Sequence, residues 1–173
     1  LLCGHDGSPI VSLVLANSKR DAVVVSLSRS ALLRVWDLDG RHLGDVNDLA
    51  AGGLLPTAIC MVAIPGAASV VAVAGAGQYV FFVDVSLRRV VGTALVHDDW
   101  VTCACAPQTA GGGGGGGAGD AGIGRRPVMA TSSSDGTVAM WPQPRLDGSV
   151  YEQEPISRIT VRSLLAAARP GDS

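Results

Sequence analysis

One pattern of apolar runs and turns occurs three times along the chain, and it constrains the fold more than any other feature. In each copy a short apolar run is followed by a loop, a second apolar run, a tight turn and a third apolar run. The runs lie at residues 10–15, 22–27 and 32–36 in the first copy, 58–64, 69–74 and 79–83 in the second, and 101–106, 128–132 and 137–141 in the third. Short runs bounded by turns are typical of β-strands. The repeat predicts units that stack on one another.

Asp-Gly pairs between or after these runs predict hairpins. Asp135-Gly136 precedes the last run of the third copy, while Asp39-Gly40 and Asp147-Gly148 follow the last runs of the first and third copies. Such pairs favour tight turns between antiparallel strands, because glycine adopts positive φ angles without steric cost. Each copy therefore predicts a four-stranded antiparallel sheet. One sheet cannot bury both of its faces, so we expect the copies to stack radially as the blades of a β-propeller.

The length of the third copy is explained by an insertion. Residues 108–126 separate its first two runs and contain seven consecutive glycines, which predicts a flexible surface loop. The pattern divides the chain into blades at 1–48, 49–96 and 97–145, followed by an outer strand and tail at 146–173. Either 150–152 or 159–163 is expected to supply the outer strand of the third blade, and 163–169 a short helix.

Composition agrees with a packed β-protein and favours no charged partner. Hydrophobic residues make up 47% of the chain and charged residues 16%, with valine and glycine abundant and aromatic residues at 4%. Thirteen basic and fifteen acidic residues give a net charge of -2, so no basic field attracts nucleic acid or an anionic membrane. The pair Arg88-Arg89 and the side chain of His42 are interpreted as solvated groups.

The four cysteines predict no metal site. Cys3, Cys60, Cys103 and Cys105 lack the paired C-x-x-C spacing of a zinc site, and no signal peptide precedes them. We therefore expect reduced thiols, a cytoplasmic or nuclear protein, and no cofactor. Cys103 and Cys105 are expected to share one face of a strand and to pack in the core. The chain begins at Leu1 as if within a strand, which suggests a fragment.

A membrane-spanning helix is the main structural alternative. Residues 49–83 contain no charged residue, and 58–76 are nearly all apolar. Against a helix stands the Pro65-Gly66 pair in the middle of this stretch, because proline removes a helical hydrogen bond and both residues favour a turn. The preferred interpretation is two buried strands joined by a Pro-Gly turn, with no membrane contact.

At this point the residues resemble the WD-repeat family, whose repeats run from a Gly-His pair to a Trp-Asp pair. Gly4-His5 and Trp36-Asp37 match these pairs in the first copy. The run TSSSDGTVAMW at Thr131–Trp141 is similar to the family's Ser-x-Asp-Gly-Thr stretch ending in Trp, with Pro142 in place of the final Asp. The resemblance covers about residues 1–145. It implies an all-β fold, a partial WD-repeat β-propeller made of four-stranded antiparallel blades.

Blades of this family carry a hydrogen-bonded tetrad, and the resemblance assigns its members here. In the third copy they are His97, Ser133, Asp135 and Trp141. In the first copy they are His5, Ser28 and Trp36, with Ser30 where Asp is expected. The closing pairs contribute the acids Asp37 and Asp84, and the second copy retains only Asp84. These residues are expected to bond one another inside a blade and to be structural.

His97, Ser133 and Asp135 are also the ingredients of a hydrolase triad. A catalytic role would require their side chains to be accessible and an oxyanion donor to be present, whereas tetrad residues are expected to be buried. We therefore predict no enzymatic activity and no catalytic residue.

The predicted function is a non-catalytic scaffold or adaptor that binds protein partners on propeller loops. The alternative is a non-catalytic propeller subunit of an RNA-modifying, tRNA methyltransferase, complex, to which the first two copies are loosely similar. Three blades do not close a ring alone, since propellers have about four to eight. The remaining blades are expected in the parent chain or in a second copy.

Overall fold

The computed structural model describes residues 5, 7–18, 21–51, 58–64, 69–75, 77–106, 128–142, 151–152 and 154–160. Within these ranges the fold is all-β apart from one short helix, α1 (Asp48–Ala51), and it consists of three antiparallel sheets. The predicted fold class is confirmed. Each of the nine predicted apolar runs contains a strand.

The strands of each sheet follow one another in chain order, as in a meander. Sheet 1 contains β1 (Ile10–Ser18), β2 (Asp21–Ser28), β3 (Leu33–Trp36) and β4 (His42–Val46). Sheet 2 contains β5 (Ala58–Ala63), β6 (Val70–Gly75), β7 (Tyr79–Asp84) and β8 (Arg89–Leu95). Sheet 3 contains β9 (Val101–Cys105), β10 (Met129–Ser133), β11 (Thr137–Trp141) and, at its outer edge, β13 (Ser157–Thr160).

The last described segments join two different sheets. β12 (Tyr151–Glu152) pairs in parallel with β8 and adds a fifth strand to sheet 2. β13 pairs with β11, from Thr137 opposite Thr160 to Met140 opposite Ser157, so the outer strand of sheet 3 overlaps the predicted 159–163 and begins two residues before it, while 151–152 belong to sheet 2. The predicted helix at 163–169, the glycine-rich insertion at 108–126 and the Asp147-Gly148 turn lie outside the described residues.

Sheet 2 is the centre of the described fold because both of its faces are buried. Alternate side chains of a strand point to opposite faces. One core cluster joins Val71, Val73, Phe81 and Val83 to sheet 1, and a second joins Val70, Ala72, Val80 and Phe82 to sheet 3. This double burial explains why β6 and β7 are almost continuously apolar, and it fits the radial stacking of blades.

We call the two faces of each sheet its near face and its far face. The near face of sheet 3 carries Met129, Thr131 and Trp141 and packs against the far face of sheet 2, with the rings of Phe82 and Trp141 6.0 Å apart. The near face of sheet 2, with Val73 and Val83, packs against the far face of sheet 1. The near face of sheet 1 carries Leu13, Leu15, Val24, Ser26 and Trp36, and the far face of sheet 3 carries Cys103, Cys105, Ala130, Val138 and Met140.

The stretch considered as a membrane helix is β-structure wherever it is described. Residues 58–63 and 70–75 form β5 and β6, which pair antiparallel, as the interpretation with two buried strands predicts. Among the described helices, none has the length and apolarity needed to cross a bilayer. The Pro65-Gly66 pair lies outside the described residues.

The predicted core packing of Cys103 and Cys105 is wrong. Both side chains are exposed, because Cys103 lies opposite Ser132 and Cys105 opposite Ala130, on the face of sheet 3 that points away from sheet 2. Cys60 is partly buried, and burial raises the pKa of its thiol to about 11, with Cys103 adding to the effect. Loss of solvent contact therefore disfavours the charged thiolate of Cys60.

Two turns and one arginine fix the hairpins and the edge between sheets 1 and 2. Gly40 and Gly136 have φ angles of 85° and 79°, as their Asp-Gly turns predict. Arg88 is not simply solvated, because its Nη1 donates a hydrogen bond to the carbonyl oxygen of Leu43 at 2.6 Å. The Arg88 side chain lies over Gly44, where an added Cβ atom would overlap Nη1. The two sheets are thus joined by a polar contact outside their apolar core.

Candidate functional site

A buried polar network at the near face of sheet 3 is centred on His97, in the loop between β8 and β9. His97 Nε2 lies 2.9 Å from Thr131 Oγ1, and Nδ1 lies 2.8 Å from Thr137 Oγ1. The indole N–H of Trp141 donates to Thr131 Oγ1 at 2.9 Å. Thr131 therefore connects the imidazole to the indole. Only 1% of the surface of Thr131 is exposed to solvent.

The network determines the tautomer of His97. The Thr137 hydroxyl donates to Asp135 Oδ1, so its oxygen accepts a proton from His97 Nδ1. Thr131 accepts from Trp141, and its own hydroxyl proton is free to donate to Nε2. These bonds form one continuous chain of donors when a neutral imidazole carries its proton on Nδ1. Burial lowers the pKa of His97, and the nearby Asp135 carboxylate opposes this only in part.

Asp135 is held as a carboxylate by several donors. Oδ1 accepts from the backbone N–H of Thr137, and Oδ2 accepts from the backbone N–H of Asp98 at 2.8 Å and from Arg158 Nη2 at 3.1 Å. Burial by itself would raise the pKa of Asp135, but the hydrogen bonds from Thr137 and Asp98 outweigh it and hold the pKa well below its usual range. Arg158 also pairs with Asp98 at 2.9 Å, so β13 is tied to this network.

Ser133 does not occupy the tetrad position that the resemblance assigned to it. Its hydroxyl donates to the carbonyl of Asp99 and accepts from the backbone N–H of Asp135, both at 3.1 Å. Met129 lies opposite Trp141, so Thr131 is only two residues further along the same face. Ser133 is four residues along, about 13 Å at roughly 3.3 Å per residue. Thr131 occupies the tetrad position because the strand register brings its hydroxyl within hydrogen-bonding distance of Trp141 and His97.

The same correction applies to sheet 1. His5 Nε2 lies 2.7 Å from Ser26 Oγ, and the indole N–H of Trp36 donates to that oxygen at 2.7 Å. Ser28 instead contacts Ser30 at 2.9 Å and accepts from the backbone N–H of Leu32, which stabilises the turn between β2 and β3. Ser26 therefore replaces Ser28 in the predicted set, for the same reason of register.

A regular spacing was present in the sequence and identifies both hydroxyl residues. Ser26 precedes Trp36 by ten residues, and Thr131 precedes Trp141 by ten. In sheet 2 the corresponding residues are Val73 and Val83, both fully buried. The family pattern matches Ser28 and Ser133, which do not have this spacing from the tryptophans. The predicted set also did not contain Thr137 and Arg158.

The acids of the closing pairs stabilise the turns that follow β3 and β7. Asp37 Oδ1 accepts from the backbone N–H of Arg41 at 2.7 Å. Asp84 Oδ1 accepts from the backbone N–H groups of Ser86 and Leu87 at 2.8 and 3.0 Å. Each carboxylate thus satisfies donors of a tight turn. His42 is not merely solvated, because it contacts Asp45 at 2.7 Å and its ring lies tilted against that of Trp36, with the ring centres 5.1 Å apart.

The geometry at His97 does not support nucleophilic catalysis. The imidazole is fully buried and its two nitrogens contact threonine hydroxyls, while the Ser133 hydroxyl donates to a backbone carbonyl. A triad requires the serine to bond the histidine and to face a substrate. Among the described residues no group of three or more His, Cys, Asp or Glu side chains is placed to hold a metal ion.

Trp100 is the one tryptophan of the chain that is exposed, at 55%, whereas Trp36 and Trp141 are buried. It lies in the loop between β8 and β9, and its backbone is held on both sides. Its N–H donates to Asp99 Oδ1 at 2.8 Å, and its carbonyl accepts from the N–H and hydroxyl of Ser134. A large apolar ring is therefore displayed to solvent on a fixed backbone.

Comparisons with known proteins support the fold. No protein-family model and no curated protein sequence matches the chain. It is similar to the crystal structure of RRP9 WD40 repeats, with a TM-score of 0.63 and 18% identity over 92% of this chain and 40% of that one. It is also similar to U3-55K (0.61, 17%, 92% and 41%) and to the computationally designed Ika8 protein (0.59, 14%, 91% and 38%). The chain therefore spans less than half the length of these three structures, and its fold is that of part of a WD-repeat β-propeller.

Proposed function

We propose that the chain is a non-catalytic, protein-binding part of a WD-repeat propeller protein. The observation that carries this proposal is the use of the reactive side chains. His97 and Asp135 are bonded to residues of their own blade, and Ser133 bonds only the neighbouring loop and turn. They hold strands and loops together, and this leaves the displayed loop surface as the working part of the molecule.

The loop surface around Trp100 is the proposed contact site for a protein partner. Exposed tryptophans are enriched among the residues that dominate binding energy, since one ring buries a large apolar area. The fixed backbone of Trp100 reduces the entropy lost on binding. Asp99 lies beside it and is exposed, and so is Asp98, whose side chain is 84% exposed but already pairs with Arg158. This surface suits a partner segment with an apolar side chain next to a basic one.

The test is a binding comparison between two equally exposed positions. Cross-linking and affinity capture from cells would be run with the wild type, Trp100→Ala and the control Leu87→Ala. Leu87 is 57% exposed but lies in the turn between β7 and β8, at the other end of sheet 2. We expect Trp100→Ala to lose a partner that Leu87→Ala retains. Equal capture by all three proteins would reject this surface.

Absence of hydrolase activity is tested separately. Activity of the wild type against simple ester substrates should not exceed that of Ser133→Ala, provided that both proteins are folded. A serine-dependent activity would overturn the non-catalytic proposal. The tRNA methyltransferase subunit alternative and the cytoplasmic or nuclear location stay predictions, because nothing in the fold separates them from the general scaffold.

A further inference from the structure

The far face of sheet 3 repeats, position by position, a face that is buried inside this chain. The strand registers match Cys103, Cys105, Ala130, Ser132, Val138 and Met140 with Cys60, Val62, Ala72, Ala74, Val80 and Phe82 of sheet 2. Small residues occupy the second strand in both sets, and a large residue occupies the same place on the third. In sheet 2 this face packs against sheet 3.

The two faces differ in solvent contact. Ala72, Ala74, Val80 and Phe82 are 1% exposed or less. On sheet 3, Cys103 and Cys105 are exposed, while Ala130, Val138 and Met140 are only half-buried. The far face of sheet 3 therefore has residues like those of the buried far face of sheet 2, but it is more exposed to solvent.

The near face of sheet 1 repeats the other half of that internal interface. Sheet 3 contacts sheet 2 through a face with a histidine, a hydroxyl and a tryptophan, and sheet 1 has the same arrangement in His5, Ser26 and Trp36. Beside it, Leu13 and Leu15 of β1 are 55% and 67% exposed, on the same face as Ser26 and Val24. The two half-covered faces of this chain thus have the composition of the two surfaces that meet between sheets 2 and 3.

One difference must be accommodated at such a contact. Arg34 occupies the position on sheet 1 that Ala139 occupies on sheet 3. Its Nε lies 3.1 Å from Asp45 Oδ1, and its side chain is 15% exposed. The arginine therefore enters the contact next to a carboxylate and mostly desolvated, although its Nε makes no hydrogen bond, so covering it removes little further solvent contact.

We propose that two copies of this chain associate head to tail, with the far face of sheet 3 of each copy on the near face of sheet 1 of the other. Two copies supply six sheets, which is within the range of about four to eight blades that closes a propeller. Each of the two contacts reproduces the geometry between sheets 2 and 3, so the pair closes without free faces. The proposal is separate from the Trp100 surface, since Trp100→Ala leaves both faces unchanged.

The test measures the solution mass of the 173-residue chain by light scattering after size exclusion. A pair has a mass of about 35 kDa, twice the 17.5 kDa of one chain. Met140→Asp places a charge on the far face of sheet 3, and Leu15→Asp places one on the near face of sheet 1. In either variant alone both contacts of a homodimer contain one damaged face, so both variants are expected to be monomers.

Mixing the two variants is the decisive experiment for head-to-tail association. Leu15→Asp keeps an intact far face and Met140→Asp keeps an intact near face, so the mixture is expected to form a 1:1 heterodimer through one contact. Leu87→Asp, which lies off both faces, should pair like the wild type. Circular dichroism checks folding, and Val138→Asp and Leu13→Asp serve where a first variant is unfolded.

Four results would overturn the proposal. A monomeric wild type would show that the faces do not bind each other. A polydisperse assembly would show that the contacts do not close after two copies. Dimers that survive in both single variants, or a mixture that stays monomeric, would show that any association uses other surfaces.

Discussion

The near faces of sheets 2 and 3 are buried by different means at equivalent positions. In sheet 2 the positions are held by Val73 and Val83, which pack against sheet 1 in an entirely apolar cluster. In sheet 3 they are held by Thr131 and Trp141, which are bonded to each other and to His97. Both solutions exclude water almost completely. Apolar packing and a hydrogen-bonded network can therefore fill equivalent positions, and the network adds directional bonds to the burial.

The largest expected effect tests whether the two cores are equivalent. Phe81 points toward sheet 1 and Phe82 toward sheet 3, and each is 1% exposed. We expect Phe81→Ala and Phe82→Ala each to lower the free energy of unfolding by about 3–5 kcal/mol, because each leaves a large cavity. Denaturant unfolding measures both values, with the partly exposed Tyr79→Ala as control. A cost below about 1 kcal/mol for either would mean that its interface does not support the fold.

A reciprocal exchange tests the polar network directly. Thr131→Val removes a hydroxyl that contacts His97 and Trp141 while nearly keeping its volume, and leaves their ring nitrogens unsatisfied. We expect a loss of about 2–3 kcal/mol, because each buried unpaired group costs about 1–3 kcal/mol. Val73→Thr places a hydroxyl in the apolar interface and should cost about 1–3 kcal/mol. If Thr131→Val were neutral, the network would contribute nothing to stability.

The pH dependence distinguishes the two interfaces as well. Burial lowers the pKa of His97 below its usual 6.5, so the unfolded chain binds a proton that the folded chain does not. Stability is therefore lost as the pH falls below about 6.5, with a slope from this one group of at most about 1.4 kcal/mol per pH unit. The comparison of wild type with His97→Gln between pH 7 and 5 measures this slope. An unchanged slope in the variant would exclude His97 as its source.

Asp135 contributes to the pH dependence of stability at lower pH, and in the same direction as His97. Its pKa is depressed in the folded chain, so its contribution is complete above its usual 3.8 and is lost as the pH falls below that value. The His97→Gln variant should keep this second loss, and Asp135→Asn should remove it.

The smallest expected effect concerns the edge between sheets 1 and 2. Gly44 has a φ of 154°, and Arg88 lies over it. Gly44→Ala should cost about 1–2 kcal/mol, because the added Cβ strains the backbone and displaces Arg88 from the Leu43 carbonyl. Arg88→Ala should relieve part of that cost, so the two effects should not add. A double-mutant cycle by thermal unfolding measures the coupling. Full additivity would show that the Arg88 contact is unimportant.

The strands were predictable because their determinants are local. Alternation, the Asp-Gly turns and the apolar runs identified all nine inner strands, since each depends on residues adjacent in the chain. The hydroxyl partners of the histidines were not predictable in this way, because they depend on which residues lie opposite each other across a hairpin. A shift of two residues in the alignment moves a side chain about 7 Å along a strand and out of reach of the indole.

The exposure of Cys103 and Cys105 illustrates a second limit. Two cysteines two residues apart share a face of a strand, as the sequence implied. Which face is covered depends on the neighbouring sheet, and the sequence of β9 alone does not show where that sheet packs. The same applies to Arg88, which contacts a carbonyl of a strand 45 residues earlier.

The sequence by itself determined the three-fold repeat, the all-β class and the sheet order, because apolar periodicity and turn chemistry act within a few residues. The tertiary structure decided that Ser26 and Thr131, not Ser28 and Ser133, complete the networks, and that burial lowers the pKa of His97. It also decided that sheet 2 is buried on both faces while sheets 1 and 3 each present one half-covered face. These properties depend on register and on packing between segments distant in the chain, and hydrogen bonds and desolvation are set only where such segments meet.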